Sequence, residues 1–150
     1  INDNIVKLKM IDVETISRDG DNFVMNTGSP HFVQYVSDIE NYDVYKNGHN
    51  IRNNETYKAE GINVNFVEKI NDNQLFVRTY ERGVEDETYS CGTGVTASAL
   101  SFMKDQNISE VKVKVLGGDL KVYAQQNGTT FNNIWLEGPA LQVFSGNFDI

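Results

Sequence analysis

Cysteine occurs once in this chain, at Cys91, so no internal disulfide can form and a reducing cytoplasm is the compartment that fits. Proline occurs twice, and no stretch rich in proline, glycine or serine marks a linker. Basic residues are also scarce: 13 Lys and Arg stand against 21 Asp and Glu, for a net charge of −8. Those 13 are scattered, whereas phosphate binding needs them clustered, which argues against a nucleic-acid partner. No apolar run approaches the roughly 20 residues that cross a bilayer as a helix, and no signal-peptide core precedes the first strand, so no membrane partner is expected. Initiator methionine is missing too. The chain opens on Ile1, which reads as a fragment or a processed form.

What is present is ordinary globular material: 150 residues, 39% hydrophobic and 23% charged. That length suffices for a proper core, with about two thirds of the unfolded surface buried. With no internal repeat and no composition break, one domain is expected over residues 1–150.

Most of the chain alternates with the period of a strand. Val6, Leu8 and Met10 alternate with Lys7 and Lys9, predicting a half-buried strand. Asp19-Gly20-Asp21 reads as a turn with Asn22 to Asn26 returning, and Phe32 to Val36 follows as a further strand. Ser37 to Tyr57 is polar, and is expected to hold a short helix and loops with a turn at Asn47-Gly48. Ile62 to Ile70 and Gln74 to Tyr80 predict a hairpin; further strands are expected over 111–116, 120–124, 134–137 and 141–144.

Cys91 to about Gln106 departs from that pattern. No charged side chain falls between Cys91 and Met103, and Ala97, Ala99, Leu100, Phe102 and Met103 occupy all sides of a helical wheel. A helix apolar all round is buried all round. The expected fold is α+β: a curved, mainly antiparallel, barrel-like sheet wrapped around one central buried helix. A flat sheet-plus-helix layer is the alternative.

Cys91-Gly92-Thr93-Gly94 falls where that helix begins. The first turn of a helix has unpaired N–H groups and a partial positive charge, which favours a thiolate and can receive a carboxylate. The same glycines could equally serve close packing of helix on sheet, and both readings stay open on these four residues. Upstream, Glu81-Arg82-Gly83 ends a strand with adjacent opposite charges that point to different faces. Either one faces inward, where a charge needs a partner or substrate, or the strand has ended and both reach into a cleft, or both are solvated.

Taken together, Glu81-Arg82-Gly83 and Cys91-Gly92-Thr93-Gly94 resemble an active-site signature of the diaminopimelate epimerases. Asn26-Thr27-Gly28-Ser29-Pro30-His31 is similar to that family's Gly-Asn-Pro-His segment, and Gly61-Ile62-Asn63-Val64-Asn65-Phe66-Val67 to its Val-Asn-Val-Gly-Phe strand. Gly117-Gly118-Asp119-Leu120 and Glu137-Gly138-Pro139-Ala140 resemble its late glycine turns. The landmarks keep the family's order but cover only its C-terminal half.

The resemblance implies one half of a two-domain fold with substrate in the interdomain cleft. It implies interconversion of LL- and meso-2,6-diaminoheptanedioate, a step towards lysine and peptidoglycan, by two cysteines acting as acid and base, with no metal or other cofactor. Carried over, Cys91 is one of that pair, with Glu81 and His31 in supporting catalytic roles, His31 matching the family histidine that lies close to the other domain's cysteine. Gly92 and Thr93 offer N–H groups to the reacting carboxylate. Asn63, Arg82 and Ser29 receive the distal carboxylate, and Glu81 the distal ammonium. His49 is left at the surface. The small-molecule substrate and the missing N-terminal domain are the implied partners, a homodimer is possible, and the fragment alone is expected to be inactive.

Two departures stand out. Ser29 replaces a commoner asparagine, and the Gly83–Cys91 interval is a residue longer than in many relatives, with Glu85, Asp86 and Glu87 expected to be solvated. The rival readings are a proline racemase-like or phenazine-biosynthesis-like isomerase of the same fold, a Cys91–His31 nucleophilic dyad, and a non-enzymatic binding domain.

Overall fold

The computed structural model describes residues 4–104 and 106–147. Its strands are β1 (Ile5–Lys9), β2 (Ile16–Asp19), β3 (Asn22–Asn26), β4 (Pro30–Tyr35), β5 (Asn63–Asn71), β6 (Gln74–Glu81), β7 (Asp86–Thr88), β8 (Glu110–Val115), β9 (Gly118–Asn127) and β10 (Thr130–Pro139). Two α-helices, α1 (Val44–Arg52) and α2 (Gly92–Met103), and a 3-10 turn at Ile39–Asn41 complete the described elements.

The strands form one mixed sheet in the order β1-β10-β9-β8-β6-β5-β4-β3-β2, with β7 added to β6. Only the β4–β5 and β6–β8 pairs are parallel. The sheet curls until its edges approach each other: the short segment 10–15 joins edge strand β1 to edge strand β2, and Val13 within it bridges Phe131 of β10. The hydrogen-bonded ladder stays open between those edges. The expected barrel-like wrap is thus present as an open, strongly curved sheet.

Helix α2 fills the hollow. Every residue from Gly94 to Met103 is buried, and the helix packs against β3, β4, β5, β6, β8, β9 and β10. Its hydroxyls are accommodated by bonding back to the helix: Thr96 Oγ1 donates to Gly92 O at 2.9 Å, Ser98 Oγ to Gly94 O at 2.8 Å and Ser101 Oγ to Ser98 O at 2.7 Å. A buried hydroxyl without a partner would cost about 1–3 kcal/mol, so this pairing lets a Ser/Thr-rich helix form a core.

Strands β4, β5 and β6 are covered on both faces. Val33, Val67, Leu75 and Val77 point inward to α2. Their neighbours Phe32, Val64, Phe66, Phe76 and Tyr80 point outward to a second core closed by Ile39 and Val44. This two-sided burial is why residues 63–67 read as a continuous buried run rather than an alternation.

Several local expectations fail. Asn47-Gly48 is inside α1 rather than in a turn, because a side chain at Gly48 would collide with Tyr80 Cβ and glycine alone allows this helix to lie on β6. β1 is exposed throughout instead of half-buried: as the edge strand it lies on β10, with Val6 and Leu8 54% and 56% exposed. Residues 141–147 form no strand and Val143 and Phe144 are exposed, since no sheet edge receives them. β9 and β10 are longer than expected, forming a hairpin with a register shift between Asn132 and Trp135.

Candidate active site at the N-terminus of helix α2

The inward-facing positions change character at one end of the sheet. There β4, β5 and β6 present His31, Asn63, Asn65 and Thr79, all buried, in place of the valines and leucine further along. Parallel pairing sets His31 beside Asn63 and Val33 beside Asn65; antiparallel pairing sets Asn65 opposite Thr79. The first turn of α2 lies over this polar floor. Gly94 permits the contact, since a side chain there would strike the Asn65 carboxamide oxygen and approach His31 at 3.3 Å.

Cys91 occupies the N-cap of α2 with extended backbone, and its side chain makes no capping bond. Val95 N–H donates to Cys91 O at 2.8 Å as the first helical bond. Ahead of it stand the N–H groups of Gly92, Thr93 and Gly94, which a helix's first turn leaves without intrahelical partners. Cys91 is 9% exposed, and its Sγ is 3.5 Å from Thr93 Oγ1. Thr93 Oγ1 in turn lies 2.9 Å from His31 Nε2 and 3.2 Å from Ser29 Oγ, and Ser29 Oγ lies 2.9 Å from His31 Nε2. Thr27 Oγ1 donates to Thr93 O at 2.8 Å, tying the turn between β3 and β4 to the helix start.

Cys91 and His31 are therefore joined through the Thr93 hydroxyl, not directly. That geometry weakens the nucleophilic dyad, which needs the imidazole against the thiol.

Asn63 is fixed by backbone on both sides of its carboxamide: Nδ2 donates to Pro30 O at 3.0 Å, and Oδ1 accepts from Arg82 N at 2.9 Å. Its Nδ2 also donates to Ser29 Oγ at 3.0 Å. The turn after β6 is consequently pinned to β5. Arg82 is half-buried and donates from Nη1 to Glu60 O at 3.1 Å; Glu81 Oε2 accepts from Thr88 Oγ1 at 2.9 Å.

The loop expected to be solvated is built. β7 returns along β6, Gly83 takes φ 93° and Glu85 φ 60°. Glu85 accepts from Arg52 Nε at 3.1 Å, Tyr80 OH at 3.2 Å and Gly83 N at 3.1 Å, and these donors hold its carboxyl below the usual range, the Gly83 amide foremost. Glu87 forms a two-pronged pair with Arg78, at 2.6 and 2.7 Å. Only Asp86 of the three is exposed without a side-chain partner across the turn. The extra residue is absorbed by a short strand that carries its own charge pairs.

The His31 ring is fully buried, and burial holds its pKa down at about 3, with the Arg82 charge acting in the same direction. The contact with Asn65 could favour protonation only if the carboxamide oxygen faced the ring, but Phe32 O can only accept, so it holds the Asn65 amide nitrogen on that side and keeps the oxygen away. His31 is neutral at physiological pH. His49 is exposed on α1, its ring against Tyr45 and Tyr80, as a surface residue. Among the described residues no group of three or more His, Cys, Asp or Glu could hold a metal ion, and no helix is long and apolar enough to cross a membrane.

Hydrogen bonds thus link Cys91, Thr93, Ser29, His31, Asn63 and the Arg82 amide in one neighbourhood, with Gly92 in the same helix turn; the Glu81 carboxylate is engaged by Thr88 and the Arg82 guanidinium by Glu60 O instead. Asn65 and Thr79 were not anticipated. The available signal was a polar residue at every second position of a buried strand, Asn63 then Asn65, which has to be satisfied by something facing it.

The family model described as diaminopimelate epimerase matches residues 23–142. The diaminopimelate epimerase of Flavobacterium psychrophilum is 44% identical over 147 residues, covering 96% of this chain and 57% of the relative. That of Chlorobaculum tepidum is 40% identical, covering 84% of this chain and 49% of the relative, and that of Aquifex aeolicus is 39% identical with 89% and 49% covered. The chain spans about half the length of the curated relatives it matches. Among solved structures, a probable proline racemase from Agrobacterium radiobacter superposes with a TM-score of 0.65 at 16% identity, over 91% of this chain and 51% of that one. A phenazine biosynthesis protein of the PhzF family from Enterococcus faecalis gives 0.50 at 15% identity, over 81% and 42%. At those identities the structural likeness establishes the shared fold alone, while the sequence matches establish more: this chain belongs to the diaminopimelate epimerase family.

Proposed function

We propose that this chain supplies one catalytic face of a cofactor-independent isomerase that interconverts LL- and meso-2,6-diaminoheptanedioate in the cytoplasm. Family membership motivates the substrate. The observation that carries the chemistry is the sole cysteine at the N-cap of a buried helix, beside N–H groups that the helix leaves unpaired.

Inverting an α-carbon requires a base on one face and an acid on the other, each in contact with the carbon. Cys91 serves one face. As thiolate it takes the α-proton, and as thiol it returns one; the opposite group belongs to a second domain. The negative charge that develops on the substrate carboxylate lies against the Gly92 and Thr93 N–H groups, whose dipoles are already oriented before the reaction. Arg82 receives the distal carboxylate, with Asn63 holding the Arg82 amide and Ser29 in place beneath that subsite, and Glu81 receives the distal ammonium. Arginine suits a planar anion because its donors are paired in a rigid fork. His31 stays neutral and supports the hydroxyls beside Cys91.

Because the second acid/base group is supplied elsewhere, the 150-residue chain by itself catalyses no epimerisation. The test is direct. In the full-length parent enzyme, Cys91→Ala abolishes turnover of LL-diaminoheptanedioate, and substantial remaining turnover would overturn the assignment. The isolated chain incubated with substrate in deuterium oxide incorporates no label at the α-carbon; wash-in would refute the two-sided mechanism.

A further inference from the structure

Two asparagines at the site have their orientation fixed by groups that can play only one role. For Asn65, Nδ2 lies 3.0 Å from Phe32 O, a carbonyl that can only accept, so the amide nitrogen must face it. Thr79 Oγ1 then donates to Oδ1 at 3.0 Å. The remaining Nδ2 hydrogen points to His31 Nδ1, also at 3.0 Å. For Asn63, Arg82 N–H can only donate and Pro30 O can only accept, and these fix Oδ1 and Nδ2 in the same way.

A direction follows for every hydrogen bond beyond them. His31 Nδ1 accepts from Asn65, so the proton of the neutral ring sits on Nε2, and Nε2 donates to the hydroxyls of Ser29 and Thr93 at 2.9 Å each. Ser29 Oγ already accepts from Asn63, which leaves its own proton for Thr93 at 3.2 Å. Thr93 Oγ1 is thereby supplied with donors. Its proton goes to the one acceptor left beside it, Cys91 Sγ at 3.5 Å. Were the His31 proton on Nδ1, Nε2 would be an acceptor and would draw the Thr93 proton away from sulfur.

We propose that Asn65 is a positioning residue for Cys91: by holding His31 in the Nε2–H tautomer it aligns a one-way run of donors that ends on the Cys91 sulfur and stabilises its thiolate. This deepens the reading of Cys91 as an acid/base group and rests on it for its purpose, though its test does not depend on the substrate. Because His31 stays neutral well below physiological pH, the direction of the run is constant over the working range.

Alkylation by iodoacetamide reads the thiolate without ambiguity, since Cys91 is the only cysteine. In the 150-residue chain, Asn65→Leu keeps the shape of the side chain, removes the donor to Nδ1 and so frees the ring to carry its proton there. The pH midpoint of the alkylation rate then rises by up to roughly one unit, a loss of up to about tenfold in rate below it. Thr93→Val, which removes the last donor while leaving the floor intact, gives the same shift, and Thr93→Ser restores the wild-type curve. Imidazole nitrogen-15 spectra of the wild type show His31 Nε2 protonated and Nδ1 bare. An Nδ1–H tautomer in the wild type would overturn the proposal, as would superimposable alkylation curves for wild type and Thr93→Val, whether or not Asn65→Leu folds. If these results hold and the parent enzyme fails to turn over diaminoheptanedioate, the positioning role stands and the substrate assignment falls.

Discussion

The two helices meet the same sheet from opposite sides and are held there by different means. Inside the curl, α2 is buried on every side from Gly94 to Met103, so its position is fixed by volume. Outside, α1 fully buries only Val44 and Gly48 and presents Tyr45 and His49 to solvent; it is held by Val44 and half-buried Ile51 against the second core, the close approach of Gly48 to Tyr80 and the Arg52–Glu85 pair. The inner helix places Cys91, and any change in its fit is transmitted to the site. The outer helix holds the far face of β5 and β6 and, through Glu85, the turn that follows Glu81 and Arg82. Precision is thus concentrated on the inner face, with tolerance on the outer one.

The sharpest test of that contrast is acid. His31 lies under α2 with its pKa depressed to about 3 from an ordinary 6.5. Below the unfolded value the unfolded chain binds a proton that the folded chain refuses, so folded stability is fully present above about pH 6.5 and declines as pH falls towards 3. The size is on the order of 3 kcal/mol between roughly pH 7 and pH 4, at about 1.4 kcal/mol per unit. Urea unfolding at the two pH values should show His31→Gln losing less stability than wild type by about that amount. Equal losses would mean the inner polar floor is not sealed.

Volume comes next. Leu100 is fully buried at the centre of α2, and Leu100→Ala should cost about 3 kcal/mol by the same unfolding measurement, from lost burial plus an uncollapsed cavity. A loss under about 1 kcal/mol would show that the hollow can close around a smaller helix. Gly48→Ala then asks about the outer face at its tightest point. In an ordinary helix interior the change stabilises by up to about 1 kcal/mol. Here the new methyl meets Tyr80 Cβ, which sits on the rigid strand and cannot swing aside, so a net loss of about 2 kcal/mol is expected. Net stabilisation would show α1 to be free to lift.

The same inside–outside distinction marks what could be read from the sequence. Residues 91–103 announced their burial because no polar stripe exists to face water. The strands announced their period but not their cover. Val6-Lys7-Leu8-Lys9 and Val111-Lys112-Val113-Lys114 have nearly one pattern, yet β8 alternates buried and exposed while β1 is exposed along its whole length. Alternation encodes a pleat, and whether a face is covered depends on what else the fold brings to it. Residues 141–144 failed likewise, an apolar run with no edge to pair with. Gly48 misled because a turn residue and a close-packing residue look the same in one dimension. At the site, Cys91, Arg82 and His31 were legible through a linear motif, whereas Asn65 left only its alternation with Asn63 as a sign, and its pairing with Thr79 follows from cross-strand register.

The smallest effect should come from the part of the outer layer farthest from any fixed contact. Tyr45 is 55% exposed on α1, its ring edge-on to Tyr80 at 5.9 Å and stacked on His49 at 6.2 Å. An exposed aromatic pair contributes about 0.5–1 kcal/mol, so Tyr45→Ala should lower stability by no more than that. Removing the ring leaves Val44 and Gly48 seated on β6, so the strand, and the residues it presents inward, should not move. The alkylation rate of Cys91 should therefore equal that of wild type. If it changed while stability did not, the outer helix would be transmitting to the inner face through Tyr80 and β6, and the separation between a precise interior and a tolerant exterior would have to be redrawn at that strand.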